Sequence, residues 1–253
     1  MMSETEKLDI TPLLAIEHVH RDRYGTIKVL KELFNNFGSI FRNLSRNDQF
    51  LYRSYLQRLI IQTACQYVED VGSYSVACKE TGLLYVERVV SVTLKEIEKF
   101  YGRVRELADD EIRKIFNILP STKKASSINC TQIIEKYNKL KEIRNKYQSL
   151  YNAMKHGNRV LCHEISKKDV PMGSLHETWL SFIWISVNLR ESMREKVKTW
   201  NGSEIETGIR NRKLKNLILP SDDISEPWNV AEDCYQIIEH ILKNNAPRIS
   251  SPE

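Results

Sequence analysis

The sequence is poor in the residues that interrupt regular structure. It has 9 Gly and 7 Pro among 253 residues, too few for the many tight turns of a protein built from short strands. No apolar run approaches the roughly 18 to 20 uncharged residues that cross a bilayer, and the longest, Trp179 to Leu189, is too short. The sequence therefore favours long helices and predicts no membrane partner.

Cysteine is scarce and odd in number. The 5 cysteines are scattered and form no Cys-x-x-Cys pair, which is typical of reduced thiols in a compartment that is not oxidising. The N-terminus lacks the basic start and apolar run of a secretion signal. The expected location is therefore the cytoplasm.

Several motifs of catalysis and cofactor binding are missing. The sequence has no Gly-x-x-x-x-Gly-Lys-Ser/Thr, no Gly-x-Gly-x-x-Gly, no Gly-x-Ser-x-Gly and no His-Glu-x-x-His. Nucleotide hydrolysis, dinucleotide binding, esterase activity and zinc-protease activity thus have no support. The stretch richest in metal-type side chains lacks the tight pairs of a zinc site; it contains His156, Cys162, His163 and His176. We expect no metal ion and no cofactor.

What the sequence does contain is apolar residues at intervals of three and four, preceded by capping residues. This pattern predicts an all-α fold, a multi-helix bundle of about seven or eight helices, several of them long and antiparallel. The predicted helices begin at Thr11 and then run from Thr26 to Leu44, Asn47 to Thr81, Leu84 to Leu107, Asp109 to Leu119, Asn129 to Gly157, Ser174 to Trp200 and Trp228 to Lys243. The helix from Asn47 is predicted to be the longest.

A change in composition near residue 203 is the one boundary that the sequence indicates, and it does not require a second domain. Residues 1–202 are predicted to form the helical bundle, and residues 203–253 a basic polar linker followed by a C-terminal helix that packs on the same body. The linker carries a run of cations without an acid, Arg210, Arg212, Lys213 and Lys215. Such a run is typical of a solvated linker or of a nucleic-acid contact, and we favour the linker.

The stretch from Asn129 to Val160 holds the densest positive charge, with seven Lys or Arg residues against two Glu. Its apolar stripe assigns Tyr147 and Tyr151 to the core rather than to base stacking. On a helical wheel Asn138, Asn145, Asn152 and His156 share one face, close to Arg144 and nearly opposite that stripe. The alternatives are a solvated face and a binding site.

The candidate site lies where this helix ends. Asn152, Lys155 and Arg159 could hold a phosphate or an RNA backbone, with Asn145 and Arg144 about two turns earlier. His156 is the candidate catalytic residue, because an imidazole can move a proton near neutral pH. Two acids on the long helix, Glu69 and Asp70, are the candidate supporting groups; a solvated shoulder is the alternative for them.

The segment Asn152-Ala-Met-Lys155-His156-Gly157 resembles the helix-end pattern Asn-x-x-Lys-His-Gly of HEPN-like proteins (higher eukaryotes and prokaryotes nucleotide-binding). The long helix with Glu69 and Asp70 resembles the helix that packs beside the site in such bundles. The resemblance covers about Asn47 to Arg159. It implies a helical bundle, a homodimer, and RNA or a nucleotide as the partner, without sequence readout of DNA.

The resemblance leaves two functions open. Many members of the superfamily are ribonucleases of toxin–antitoxin or antiviral defence systems, which here would make the chain a metal-independent endoribonuclease using His156. Others are inactive binding or scaffold domains. In the ribonuclease members fewer residues separate the Arg from the His than separate Arg144 from His156 in this sequence. We therefore favour a non-catalytic binding or interaction module that contacts RNA.

Overall fold

The computed structural model describes residues 12–82, 84, 86–118, 129–155, 160–166, 178–198 and 203–245. The chain divides into two compact units. The helical unit contains the described residues up to 43, those from 56 to 146 and those from 224 onward. The sheet unit contains residues 44–55 and the described part of 147–223. None of the described helices combines the length and the apolar character that a membrane crossing requires.

Most of the described chain is helical. The α-helices are α1 (Pro12–Asn35), α2 (Phe37–Ile40), α3 (Arg46–Thr81), α4 (Val86–Ser91), α5 (Leu94–Gly102), α6 (Asp109–Ile115), α7 (Cys130–Lys155) and α8 (Ser225–Asn245). A short 3-10 helix, Val104–Glu106, follows α5. The prediction of a mainly helical protein is therefore confirmed.

Of two caps that the sequence predicts, Asn129 is confirmed, whereas Asn47, the predicted cap of the longest helix, lies inside that helix. Asn129 caps α7 as predicted, because its side-chain oxygen accepts a hydrogen bond from the backbone N–H of Gln132 at 3.2 Å. The helix from Asn47 is predicted to be the longest, and α3 spans 36 residues. Its cap is Ser45, whose hydroxyl accepts from the backbone N–H of Asp48 at 3.2 Å.

The predicted helix from Leu84 to Leu107 is divided into α4 and α5. Thr93 interrupts it by forming a capping box with Glu96, in which each residue binds the other's backbone N–H. Local side-chain bonds of this kind compete with a continuous helix. The β-branched run before Thr93 offers little helix propensity against that competition.

The all-α prediction is wrong for the segment after α7. A three-stranded antiparallel sheet has the order β1 (Val160–Ser166), β2 (Thr178–Lys198), β3 (Glu204–Pro220). β2 replaces the helix predicted from Ser174 to Trp200, and β3 replaces the predicted linker. In a continuous apolar run, periodicity does not distinguish a buried helix from a buried strand. The many aromatic and β-branched residues of Trp179 to Leu189 favour the strand.

The register of the sheet defines a buried face. Leu180, Phe182 and Trp184 are buried at alternate positions of β2, as expected when one face of a strand packs against a core. β1 pairs with β2 only from Thr178 to Trp184, whereas β3 pairs with β2 as far as Lys198. Among the described strands, the distal part of β2 therefore forms a ribbon with β3 alone.

Gly72 marks a close approach of α3 and α5 in the helical unit. A Cβ atom built on Gly72 would lie 2.7 Å from Cγ2 of Ile97 and 3.1 Å from Cε2 of Tyr101. Both side chains are buried, so they have little room to move away. Glycine at this position lets the two helices pack closely.

Gly72→Ala is therefore expected to lower the free energy of unfolding by about 1–3 kcal/mol through overpacking. The measurement is urea denaturation followed by circular dichroism. Gly25→Ala is the matched control: Gly25 lies inside α1 with no atom within 4 Å of its added Cβ, so helix propensity should raise stability by about 0.5–1 kcal/mol. Equal effects of the two substitutions would contradict the close approach.

Candidate functional site

The predicted site residues of α7 have different surroundings. Arg144 is buried, 7% exposed, and its guanidinium lies 3.3 Å from the Glu98 carboxylate. Asn145 is exposed on the next position of the helix. Within the helical unit Arg144 is thus held by Glu98, a contact that ties α7 to α5.

The end of α7 belongs to the sheet unit. Asn152 accepts a hydrogen bond from the side-chain amide of Gln148 at 3.1 Å. Lys155 is exposed, with its ammonium 5.4 Å from the centre of the Tyr151 ring. Tyr147 and Tyr151 are buried, which confirms their predicted place in the core. His156 and Arg159 lie outside the described residues.

A hydrogen bond fixes this helix end against the sheet. The indole N–H of Trp184 on β2 donates to the hydroxyl of Ser149 at 3.1 Å. Trp184 is paired in register with Lys215 of β3, and residues paired across two strands share a face of the sheet. The exposed Lys215 therefore stands on the sheet face to which the last turns of α7 are bonded.

The basic run that the sequence assigned to a linker lies on β3. Arg210, Arg212, Lys213 and Lys215 pair in that order with Leu189, Val187, Ser186 and Trp184 of β2. This stretch of the two strands contains no acidic residue. Because successive residues of a strand alternate between its two faces, Arg210 and Arg212 occupy positions of one face, and Lys213 and Lys215 positions of the other.

The predicted supporting acids lie on α3 in the helical unit. Asp70 forms an ion pair with Arg23 on α1, its Oδ2 lying 2.5 Å from Nε, and Arg23 also donates to the side-chain oxygen of Gln66 at 2.9 Å. Burial raises the pKa of Asp70 to about 6, because the desolvation of the carboxylate outweighs the attraction of Arg23. Asp70 thus joins α3 to α1 within this unit. Glu69, its neighbour on α3, is half-buried.

A second polar cluster in the helical unit was not predicted. His20 of α1 is 2% exposed, its Nδ1 lies 2.7 Å from the Tyr67 hydroxyl, and its Nε2 lies 3.4 Å from Oε1 of Glu239. Burial lowers the pKa of His20, and the nearby Glu239 carboxylate offsets only part of that shift. This arrangement suits a neutral imidazole that accepts from Tyr67 and directs its N–H to Glu239.

Aromatic rings surround this cluster. Tyr235 of α8 stacks on His20 with ring centres 5.0 Å apart and on Tyr24 with centres 4.0 Å apart. The Tyr24 hydroxyl donates to Glu232 at 2.7 Å, and burial together with that bond raises the pKa of Tyr24 to about 12. The one sequence signal for this cluster is the pair of histidines at positions 18 and 20. Residues two apart on a helix point about 200° away from each other, so this pair does not predict a shared ligand.

A cavity of about 510 Å³ opens beside the cluster, between the start of α7, the second half of α8 and Phe116. Its volume is in the range of small-molecule sites, about 300–1,000 Å³. Glu239 lines this cavity and also contacts His20. The buried chain from Tyr67 through His20 therefore ends at a carboxylate on the cavity wall.

The Asp70 titration gives a test of the helical unit. The folded-state pKa of Asp70, about 6, is higher than its ordinary value of 3.8, so the folded protein binds this proton more tightly than the unfolded chain. The contribution of Asp70 to stability is then fully present at low pH and lost as the pH rises through about 6. Relative to Asp70→Asn, the protein should lose up to about 3 kcal/mol of unfolding free energy between about pH 4 and pH 7.

Urea denaturation of both proteins across that pH range measures the difference. Asn cannot titrate, so the subtraction removes the pH dependence of the other groups. A difference that stays constant, or that grows in favour of the natural protein as the pH rises, would contradict the raised pKa.

Comparisons with known proteins give one partial likeness. The chain is 22% identical over 219 residues to a transcription-repair-coupling factor of Rickettsia prowazekii (strain Madrid E), and the alignment covers 80% of this chain and 19% of that factor. The chain thus spans about a fifth of the length of this relative. No family model matches the chain, and no solved structure matches it.

Proposed function

We propose that this protein is a non-catalytic helical binding module of HEPN-like kind that contacts RNA. The contact surface consists of the end of α7, with Asn152 and Lys155, and Lys215 at the end of the basic stretch of β3. His156 and Arg159 follow Lys155 in the sequence and extend the same cationic segment. We call these residues together the basic surface.

The observation that carries the proposal is the hydrogen bond between Ser149 and Trp184. It holds the last turns of α7 on the sheet face that also bears Lys215. Two cationic segments far apart in the sequence therefore belong to neighbouring elements of one unit. Lys and Arg side chains so grouped neutralise phosphates and release counterions, the main source of affinity for a nucleic-acid backbone.

The non-catalytic part of the proposal has its own support. Arg144, which precedes His156 in the sequence, is buried, and its guanidinium is paired with Glu98. Asp70 is engaged by Arg23. The Arg144 guanidinium thus already faces a carboxylate of the protein, which competes with a phosphate for the same group.

RNA affinity tests the proposed surface. The double variant Lys155→Gln/Lys215→Gln should bind single-stranded RNA about tenfold more weakly at low salt, and the slope of log affinity against log salt should fall by about 1 to 2. Fluorescence anisotropy with a labelled RNA measures both quantities. Lys95→Gln, an exposed lysine on α5, is the matched control and should leave both unchanged. Equal losses in the control and the double variant would contradict a localised surface.

A cleavage assay separates the binding module from the ribonuclease. The protein and its His156→Ala variant are incubated with RNA in the absence of divalent metal, and the products are resolved by electrophoresis. The proposal expects intact RNA with both proteins. Cleavage by the natural protein that the variant lacks would overturn the non-catalytic assignment and favour the defence ribonuclease.

A further inference from the structure

The cavity beside α8 has a carboxylate whose position is fixed by the core. Oε1 of Glu239 faces the Nε2 atom of His20 at 3.4 Å, and His20 is held in turn by Tyr67 and by stacking on Tyr235. A carboxylate positioned by a buried imidazole loses little conformational freedom when a ligand binds it. Glu239 is therefore a preorganised acceptor in the cavity wall.

The second oxygen of this carboxylate already meets an ammonium group. Oε2 of Glu239 lies 3.4 Å from Nζ of Lys243, whose side chain is 72% exposed. A long ion pair to an exposed lysine contributes little free energy, because solvent screens it and the side chain loses entropy. The Lys243 ammonium thus marks a position for a positive group, and a ligand could displace it at small cost.

The other cation of the cavity is compensated. Lys136 of α7 lies 3.3 Å from Asp233 and donates to the side-chain oxygen of Gln236. Its charge is therefore neutralised within the protein rather than directed at a ligand. Phe116 and His240 pack edge-to-face in the same cavity wall, and together they offer a ring surface against which a small hydrocarbon body can pack.

We propose that this cavity binds a small organic ammonium ion, a primary amine with an aromatic or apolar body, whose –NH₃⁺ group replaces the Lys243 ammonium at Glu239. The body of the ligand packs against Phe116. The side-chain oxygen of Gln132, which lines the cavity, offers an acceptor for a further N–H group. This site is separate from the basic surface and does not depend on the RNA-binding proposal.

Three ligands of matched shape and different charge test the chemistry: phenethylamine, phenethyl alcohol and hydrocinnamate. Isothermal titration calorimetry with the full chain measures their affinities. Phenethylamine should bind saturably and at least about tenfold more tightly than the alcohol. The ammonium group forms an ion pair with Glu239, which contributes more free energy than the neutral hydrogen bond that the hydroxyl group would form there. Tighter binding of hydrocinnamate would overturn the proposal in favour of an anion site, and no saturable binding of any ligand up to about 10 mM would remove the site.

Two variants connect the binding to the named residues. Glu239→Gln should weaken phenethylamine binding by about tenfold, whereas Lys243→Met should strengthen it several-fold by removing the competing ammonium. Glu226→Gln, on the same helix but not in the cavity wall, is the matched control and should change nothing. Unchanged binding in Glu239→Gln would refute the assignment. Should Glu239→Gln fail to fold by circular dichroism, Lys243→Met decides alone, and an unchanged affinity there refutes the proposal.

Discussion

The helical unit depends on a hydrogen bond that its core must bury, the one between Tyr67 and His20. Both side chains are almost inaccessible, and a buried polar atom left without a partner costs about 1–3 kcal/mol. The bond therefore stabilises the packing in which His20 of α1 contacts Tyr67 of α3 over packings that would separate the two side chains. The other ring nitrogen, Nε2, lies 3.4 Å from Oε1 of Glu239, a contact that includes α8 in the same arrangement. Stacking of His20 on Tyr235 and the Arg23–Asp70 pair reinforce that register.

The sheet unit is organised by a different contact. Trp184 is buried within β2, and its indole N–H must find an acceptor, which Ser149 of α7 provides. This single bond determines which face of the sheet the helix end adjoins. Lys215, at the end of the basic run on β3, therefore lies on the sheet face that adjoins the last turns of α7. The cations are then spaced by strand pairing rather than left on a disordered segment.

Much of the helical architecture could be predicted from the sequence, because capping residues and apolar spacing are local signals. Asn129 caps α7 and the stripe through Tyr147 and Tyr151 is buried. The sheet could not be predicted, since the run from Trp179 to Leu189 is apolar at both helical and strand periods and its pairing with β3 is a long-range property. Arg144 looked like a ligand-binding residue on a helical wheel, but the wheel could not include the Glu98 carboxylate contributed by α5. His20 was overlooked because its partners, Tyr67 and Glu239, are remote in the sequence.

The most direct test of the account is backbone hydrogen–deuterium exchange of the full chain, with and without single-stranded RNA, read by mass spectrometry. An RNA contact at the basic surface predicts slower exchange in the last turns of α7 and in the β3 peptides around Lys215, and unchanged exchange in α1 and α8. Protection that is absent from α7 and β3, or confined to α8 and the cavity wall, would contradict it.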